Sequence, residues 1–368
     1  MVPVRVVTDR LGATVSAMDL ELLSHRLDAA GEPRFRGRQV WAWTARGATG
    51  YDEMTDLPAA LRERLADEVP FTSLTLEHEA HARDGTIKAL FRTHDGRPVE
   101  AVLMRYKDDR RSLCLSSQSG CPLTCTFCAT GQMKFGRNLT ASEILDQALH
   151  FRRSEDVDHA VFMGMGEPMM NLPNVLAACE RLPDLGITHR RTAISTVGWT
   201  PGIDALAEQP MPIRLALSLH AADDALRTQI MEVNARYPLA DVLDACRRFY
   251  EAKRRMIFVE YVMLAGVNDR YEQAVQLARV LDRRMFKINL IPYNPTGSAP
   301  KARVQARRDA ERSHQNASPD DSRSYQCSSR EAIAAFKAVL EEHGLGATVR
   351  LTRGRDIDAA CGQLAAKA

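Results

Sequence analysis

No run in this chain stays apolar for the roughly twenty residues that a helix needs to cross a bilayer, so a helical membrane protein is not expected. The first twenty residues lack the apolar centre of a secretory leader, because Arg5, Arg10 and Asp19 interrupt them. A dominant charge is missing as well. Lys and Arg number 49 against 47 Asp and Glu, for a net charge of +2, which excludes a polyelectrolyte but still permits locally basic nucleic-acid surfaces. No internal repeat is visible. The expectation is a cytoplasmic chain whose thiols stay reduced. In that setting the 8 cysteines among 368 residues point to metal or catalytic work rather than a disulfide framework. With 45% hydrophobic and 26% charged residues, the chain can build an ordinary core, and its length allows about two domains.

Cys121, Cys125 and Cys128 form the densest chemical signal, a C-x3-C-x2-C spacing on one short loop. No fourth cysteine lies at a matching offset. A cuboidal iron–sulfur cluster takes four thiolates and a structural zinc site is closed by four ligands. Three thiolates therefore leave one coordination position for a substrate or cofactor. Zinc with a distant fourth ligand and three thiols grouped by chance are the alternatives at this point.

Residues 1–80 read as mostly helical, with an amphipathic segment from Asp19 to Ala29, another beginning at Arg38, and a helix over Ala59–Glu68 after Pro58. Arg34, Arg36 and Arg38 beside Trp41 and Trp43 form either a phosphate-contacting face with stacking rings or a solvated edge over two core tryptophans. Strands follow at 86–92, 99–104 and 112–116, the first two joined by the hairpin signal Asp95-Gly96. Past the cysteine loop, Thr140-Ala141-Ser142-Glu143 reads as a capping box. From there strands near 160–163, 192–195, 213–219, 257–264, 287–291 and 347–352 alternate with helical patterns. That alternation predicts parallel βαβ units closing part of a barrel, with chemistry at the C-terminal strand ends. The segment Lys301–Tyr325 has Val304 as its only aliphatic larger than alanine, so it reads as a loosely ordered insertion.

Ser116-Ser117-Gln118, Gly120-Cys121, Thr126 to Gly131, Arg137 to Thr140, Gly164-Met165-Gly166-Glu167-Pro168 and Asp356 to Leu364 together resemble the RlmN/Cfr family of radical S-adenosylmethionine (SAM) RNA methyltransferases. The resemblance runs from about residue 35 to 364 and is closer to the adenine-C2 branch than to the C8 branch. It implies an α/β radical SAM partial (β/α)6 barrel over residues 81–368, with a small helical RNA-binding accessory domain over 1–80. The implied cofactors are a 4Fe-4S cluster on Cys121, Cys125 and Cys128 and SAM. The implied substrates are adenosine in 23S rRNA and tRNA, with a flavodoxin-type electron donor and a monomeric enzyme.

In that family one SAM methylates a cysteine, here Cys361, and a second is cleaved reductively to activate the methyl for attack on the base. Cys114 then attacks the Cys361 sulfur and leaves a disulfide, while Glu100 matches the proton acceptor. Gly166, Glu167, Ser195, Ser218, Leu219, His220 and Asn294 match the SAM contacts. Taken singly, Cys114 and Cys361 would pass for packed thiols, Glu100 for an exposed strand residue and His220 for a structural histidine. Cys179, Cys246 and Cys327 match no motif. Val197 stands where a small polar residue is common, and Arg355 where an acid is frequent. C8 methylation, or a cluster-bearing RNA-binding module without catalysis, are the competing readings.

Overall fold

The computed structural model describes residues 20–296 and 325–365. Apart from Tyr325 the expected insertion, and apart from Leu20 the N-terminal segment, lie outside the described residues.

Three helices open the described chain: α1 (Leu20–Ala29), α2 (Phe35–Ala45) and α3 (Ala59–Glu68). Leu23, Leu27, Val40, Leu61 and Leu65, with Tyr51 and Met54 between α2 and α3, enclose a small core of their own. The two tryptophans of α2 take different roles. Trp41 is buried in the main core, where its indole N–H donates to Asp184 Oδ2 at 2.6 Å. Half-buried Trp43 donates to Asp56 Oδ1 at 2.6 Å. Trp41 thus fastens the helical unit to the rest of the molecule and is not a stacking surface. Arg36 is held by Glu32 and Gln39, while Arg34 and Arg38 stay exposed.

The rest is organised by one sheet. Its strands are β1 (Leu74–His81), β2 (Ile87–Thr93), β3 (Pro98–Arg105), β4 (Arg111–Cys114), β7 (His159–Phe162), β8 (Thr192–Thr196), β9 (Arg214–Ser218), β10 (Ile257–Met263), β11 (Phe286–Pro292) and β12 (Ala347–Val349), side by side in that order. The short β5 (Gln118–Ser119) and β6 (Arg137–Asn138) pair with each other around the cysteine loop. β1 to β4 are antiparallel, and Gly96 turns the β2–β3 hairpin with φ 75°. Within the main sheet every pairing from β4 onward is parallel. Helices α5 (Ala141–Arg152), α6 (Leu172–Arg181), α7 (Thr200–Glu208), α9 (Leu239–Lys253), α10 (Tyr271–Val280) and α11 (Arg330–Glu342) make the crossovers. The partial (β/α)6 arrangement expected from the sequence is therefore present.

Parallel strands covered by helices are buried on both faces, and Leu113, Phe162, Ile194, Leu215 and Ile288 are all shut from solvent. The Thr140 capping box forms, with Glu143 N–H donating to Thr140 Oγ1 at 3.2 Å and Thr140 N–H to Glu143 Oε2 at 2.9 Å. Two expected thiols, Cys179 and Cys246, pack in the core.

β1 and α8 (Asp224–Ile230) are among the elements that were not expected. β1 lies at the end of the stretch read as helical; most of its residues are exposed, so apolar alternation is faint and pairing with β2 carries it. Helix α8 is too short for a helical period to register, and Asp223 starts it by accepting Leu226 N–H at 2.8 Å.

Candidate active site

The turn after β7 carries the glycines and the acid singled out from the sequence. Gly166 adopts φ 97°, and a Cβ there would sit 2.5 Å from Gln118 Cβ, so only glycine fits. The same Gln118 accepts the Glu167 N–H through Oε1 at 2.9 Å. Glu167 points inward and is buried; its Oε1 accepts Met169 N–H at 3.1 Å and its Oε2 accepts Val197 N–H at 3.0 Å. Burial pushes its carboxyl up to about 7 despite those bonds.

On the neighbouring strands, Ser195 Oγ lies 3.2 Å from Ser218 Oγ. His220 follows β9 with φ 61°, and its Nδ1 accepts Val262 N–H at 3.1 Å, which puts the ring proton on Nε2. Burial pushes the His220 pKa down to about 3, so the ring is neutral at ordinary pH. Leu219 is fully buried and offers only its backbone.

Gly166, Glu167, Ser195, Ser218, His220 and the three cysteines line one cavity of about 940 Å³, part of it open to solvent. Phe127, inside the cysteine loop, packs edge-to-face with His220, ring centroids 4.7 Å apart, and so ties the loop to the β9 end. Burial and the neighbouring sulfurs of Cys128 and Cys121 push the Cys125 thiol far up, so metal must displace its proton. Among the described residues no three His, Cys, Asp or Glu side chains converge on a single ion. A 4Fe-4S cube suits the donor set, because three thiolates can each bind a different iron and leave the fourth iron open.

A second cavity, of about 630 Å³, adjoins the first and is lined by Cys114, Asn294 and Arg350. Cys361 borders both. Cys114, at the end of β4, is buried, and burial together with the facing Cys361 sulfur pushes its thiol up to about 12. Both are free thiols here.

The tail bearing Cys361 is pinned along its length. Asp84 Oδ2 accepts Gly354 N–H at 3.1 Å, Gly362 O accepts Ala129 N–H at 2.7 Å, and Leu364 O accepts Thr130 Oγ1–H at 2.6 Å. The last two contacts attach it to α4 (Ala129–Gln132), directly after Cys128.

Glu100 ends that path. It is buried on β3, on the sheet face that Cys114 shares, with Oε1 3.0 Å from Lys88 Nζ and Oε2 accepting Ala365 N–H at 2.9 Å. It lines neither cavity. Asn294 also stands apart from the other expected SAM contacts: its amide reaches Cys361 O at 3.4 Å, and Arg355 donates to its Oδ1 at 3.3 Å.

Sequence reading missed Arg227, Glu260 and Arg350. Arg227 is fully buried and donates to Leu219 O at 3.2 Å, Asn234 Oδ1 at 2.6 Å and Val197 O. It binds the β8 and β9 loops together, and Val197 in turn holds Glu167. An isolated arginine in a helical stretch gives no sequence signal. Arg227→Met strands three acceptors and should cost about 3 kcal/mol, measured by denaturant unfolding, with SAM affinity falling in parallel.

A parallel partial barrel, a three-thiol loop after its first strand and an inward glutamate beside it define a radical SAM enzyme, with a 4Fe-4S cluster and SAM as its cofactors. The "Radical SAM superfamily" profile matches residues 115–278, and "Ribosomal RNA large subunit methyltransferase N-terminal domain" matches residues 15–70. The chain is 45% identical to "Probable dual-specificity RNA methyltransferase RlmN" of Heliobacterium modesticaldum, over 91% of this chain and 84% of that protein. It is 41% identical to "Dual-specificity RNA methyltransferase RlmN" of Anaeromyxobacter sp., over 95% and 90%. The crystal structure of a radical SAM methyltransferase from Sphaerobacter thermophilus superposes with a TM-score of 0.85 at 40% identity, covering 96% of this chain and all of that one. The chain belongs to the RlmN family of RNA methyltransferases.

Proposed function

We propose that this enzyme methylates C2 of adenosine in 23S rRNA and tRNA, with the methyl group carried on Cys361. The observation that supports the reading most is that Cys361 borders both cavities, one holding Glu167 and the cluster cysteines and the other Cys114. A sulfur in that position can face a methyl donor on one side and a second thiol on the other. Bound SAM and cluster supply the electrophilic methyl and the one-electron chemistry that activates it.

The chain's own residues do the rest. The Cys361 thiolate takes the methyl by displacement, forming an S–C bond. Once the activated carbon has joined C2, Cys361 can no longer carry charge, so its repulsion of a thiolate at Cys114 disappears. Arg350 favours that thiolate as well. Cys114 then attacks the Cys361 sulfur. The S–S bond forms as the S–C bond breaks, and the electron pair goes to the departing CH2 carbon, which takes up a proton to become the methyl group; Glu100 accepts the separate proton lost from C2. The two cysteines end oxidised by two electrons, and an external thiol must reduce them. That need, like an electron donor of flavodoxin type, suits the reducing cytoplasm, where the enzyme would act as a monomer. Arg34, just before α2, and Arg38, on it, are both exposed and available to RNA phosphates.

Incubating the cluster-loaded enzyme with SAM, reductant and RNA, then digesting the RNA to nucleosides, tests the reading. 2-Methyladenosine is the expected product. 8-Methyladenosine, or none in either RNA, overturns it.

A further inference from the structure

Glu260 on β10 is a buried carboxylate that the mechanism above does not use. It is 3% exposed, and its Oε1 accepts Asn289 Nδ2–H at 2.9 Å. Its Oε2 is shut from bulk water and accepts no hydrogen bond; Arg350 Nη1, at 3.7 Å, is too far to donate one. A buried carboxylate oxygen left in this way lacks a donor, and Glu260 lines the 940 Å³ cavity.

Strand register says which part of a ligand would meet it. Glu260 pairs with Ser218 on one side and Asn289 on the other, and Asn289 pairs with Thr348. Thr348 Oγ1 donates to Asn289 Oδ1 at 2.7 Å. With Ser195 beside Ser218, these side chains make one polar layer across five adjacent strands, β8 to β12. Two residues further toward the strand ends, Val262 and Ile291 line the same cavity with Tyr293, so an apolar shelf lies just beyond the polar layer.

A nucleoside has this order of surfaces: an apolar base face next to a diol. Glu167, on the far side of β8 and β9, is the carboxylate suited to an ammonium. Of the donors that remain, the adenine amine and the ribose hydroxyls, the hydroxyls are the ones that adjoin the base face, as Glu260 adjoins the apolar shelf.

We infer that Glu260 accepts hydrogen bonds from the ribose diol of SAM, with the base on the Val262–Ile291–Tyr293 shelf. This rests on the reading that the cavity takes SAM. Charge-assisted hydrogen bonds to a carboxylate are about twice as strong as neutral ones. Losing the charge should therefore weaken SAM binding by about tenfold while leaving an analogue without the ribose hydroxyls unaffected.

The experiment measures dissociation constants, by equilibrium dialysis on the cluster-loaded protein, for SAM and for its 2′,3′-dideoxy analogue. The wild type should prefer SAM, and Glu260→Gln should remove most of that preference by weakening SAM alone. Glu260→Asp keeps the charge beside Arg350 but withdraws it by one methylene, so it gives a second measurement should the amide variant fail to fold; it too should lose the preference. Equal weakening of both ligands would make Glu260 a structural residue and overturn the inference. So would a wild type that binds both equally. A wild type that binds neither overturns the assignment of the cavity along with it.

Discussion

Cys361→Ala will leave the cluster-loaded enzyme without RNA methylation, by at least about a thousandfold if the residual rate is that of an enzyme without its nucleophile, and without a methylated protein peptide. Cys114→Ala will behave differently. It still accepts a methyl on Cys361 and still joins that carbon to RNA, but nothing opens the S–C bond. A covalent protein–RNA adduct should accumulate to about one per chain, seen as a gel band that ribonuclease removes. The contrast follows from the two cavities: Cys361 borders both, whereas Cys114 lines only the second. Neither change should unfold the protein, since trimming a sulfur typically costs about 1 kcal/mol. Turnover by Cys361→Ala would end the methyl-cysteine reading. Normal turnover by Cys114→Ala, with no adduct, would remove its resolving role.

SAM affinity will fall as pH drops below about 7, the value to which burial raises Glu167, at up to tenfold per pH unit, and will level off above it. The ligand's ammonium requires the ionised carboxylate, and below that value a proton must be displaced first. The sign for stability is opposite. A carboxyl raised in the folded state binds its proton more tightly there than in the unfolded chain. Its contribution is complete below the unfolded value of 4.5 and disappears as pH rises through about 7. At 1.36 kcal/mol per unit, that window removes about 3 kcal/mol from the ligand-free protein. His220, pushed down to about 3, does not titrate there. Glu167→Gln should flatten both profiles. Unchanged pH dependence of SAM binding in that variant would reassign the titration to another group.

Much of the fold was legible because its periods are local. The strands from β7 to β11 are short β-rich runs, α3 and α6 match their sequence signals residue for residue, and the capping box formed where Thr140 and Glu143 stand three apart. β1 was hidden because an exposed edge strand needs no apolar alternation. α8 was hidden because seven residues carry too little pattern.

For the site, the C-x3-C-x2-C spacing and the Gly166-Glu167 turn are continuous in sequence, so one chain already carried the inference of an open metal site and a buried acid. The sequence by itself determined the three-thiol loop, the parallel βα alternation and the family. Tertiary structure alone decided that a tail more than two hundred residues beyond Cys128 lies against α4 through Gly362 and Leu364 and ends on Glu100 through Ala365. It also decided that Glu260 stands in one layer with Ser218 and Asn289, and that Arg227 braces the loop that holds Glu167. The physical reason is that hydrogen bonds, buried charge and strand register act through space between residues far apart in the chain, and a single sequence records the residues but not their pairings.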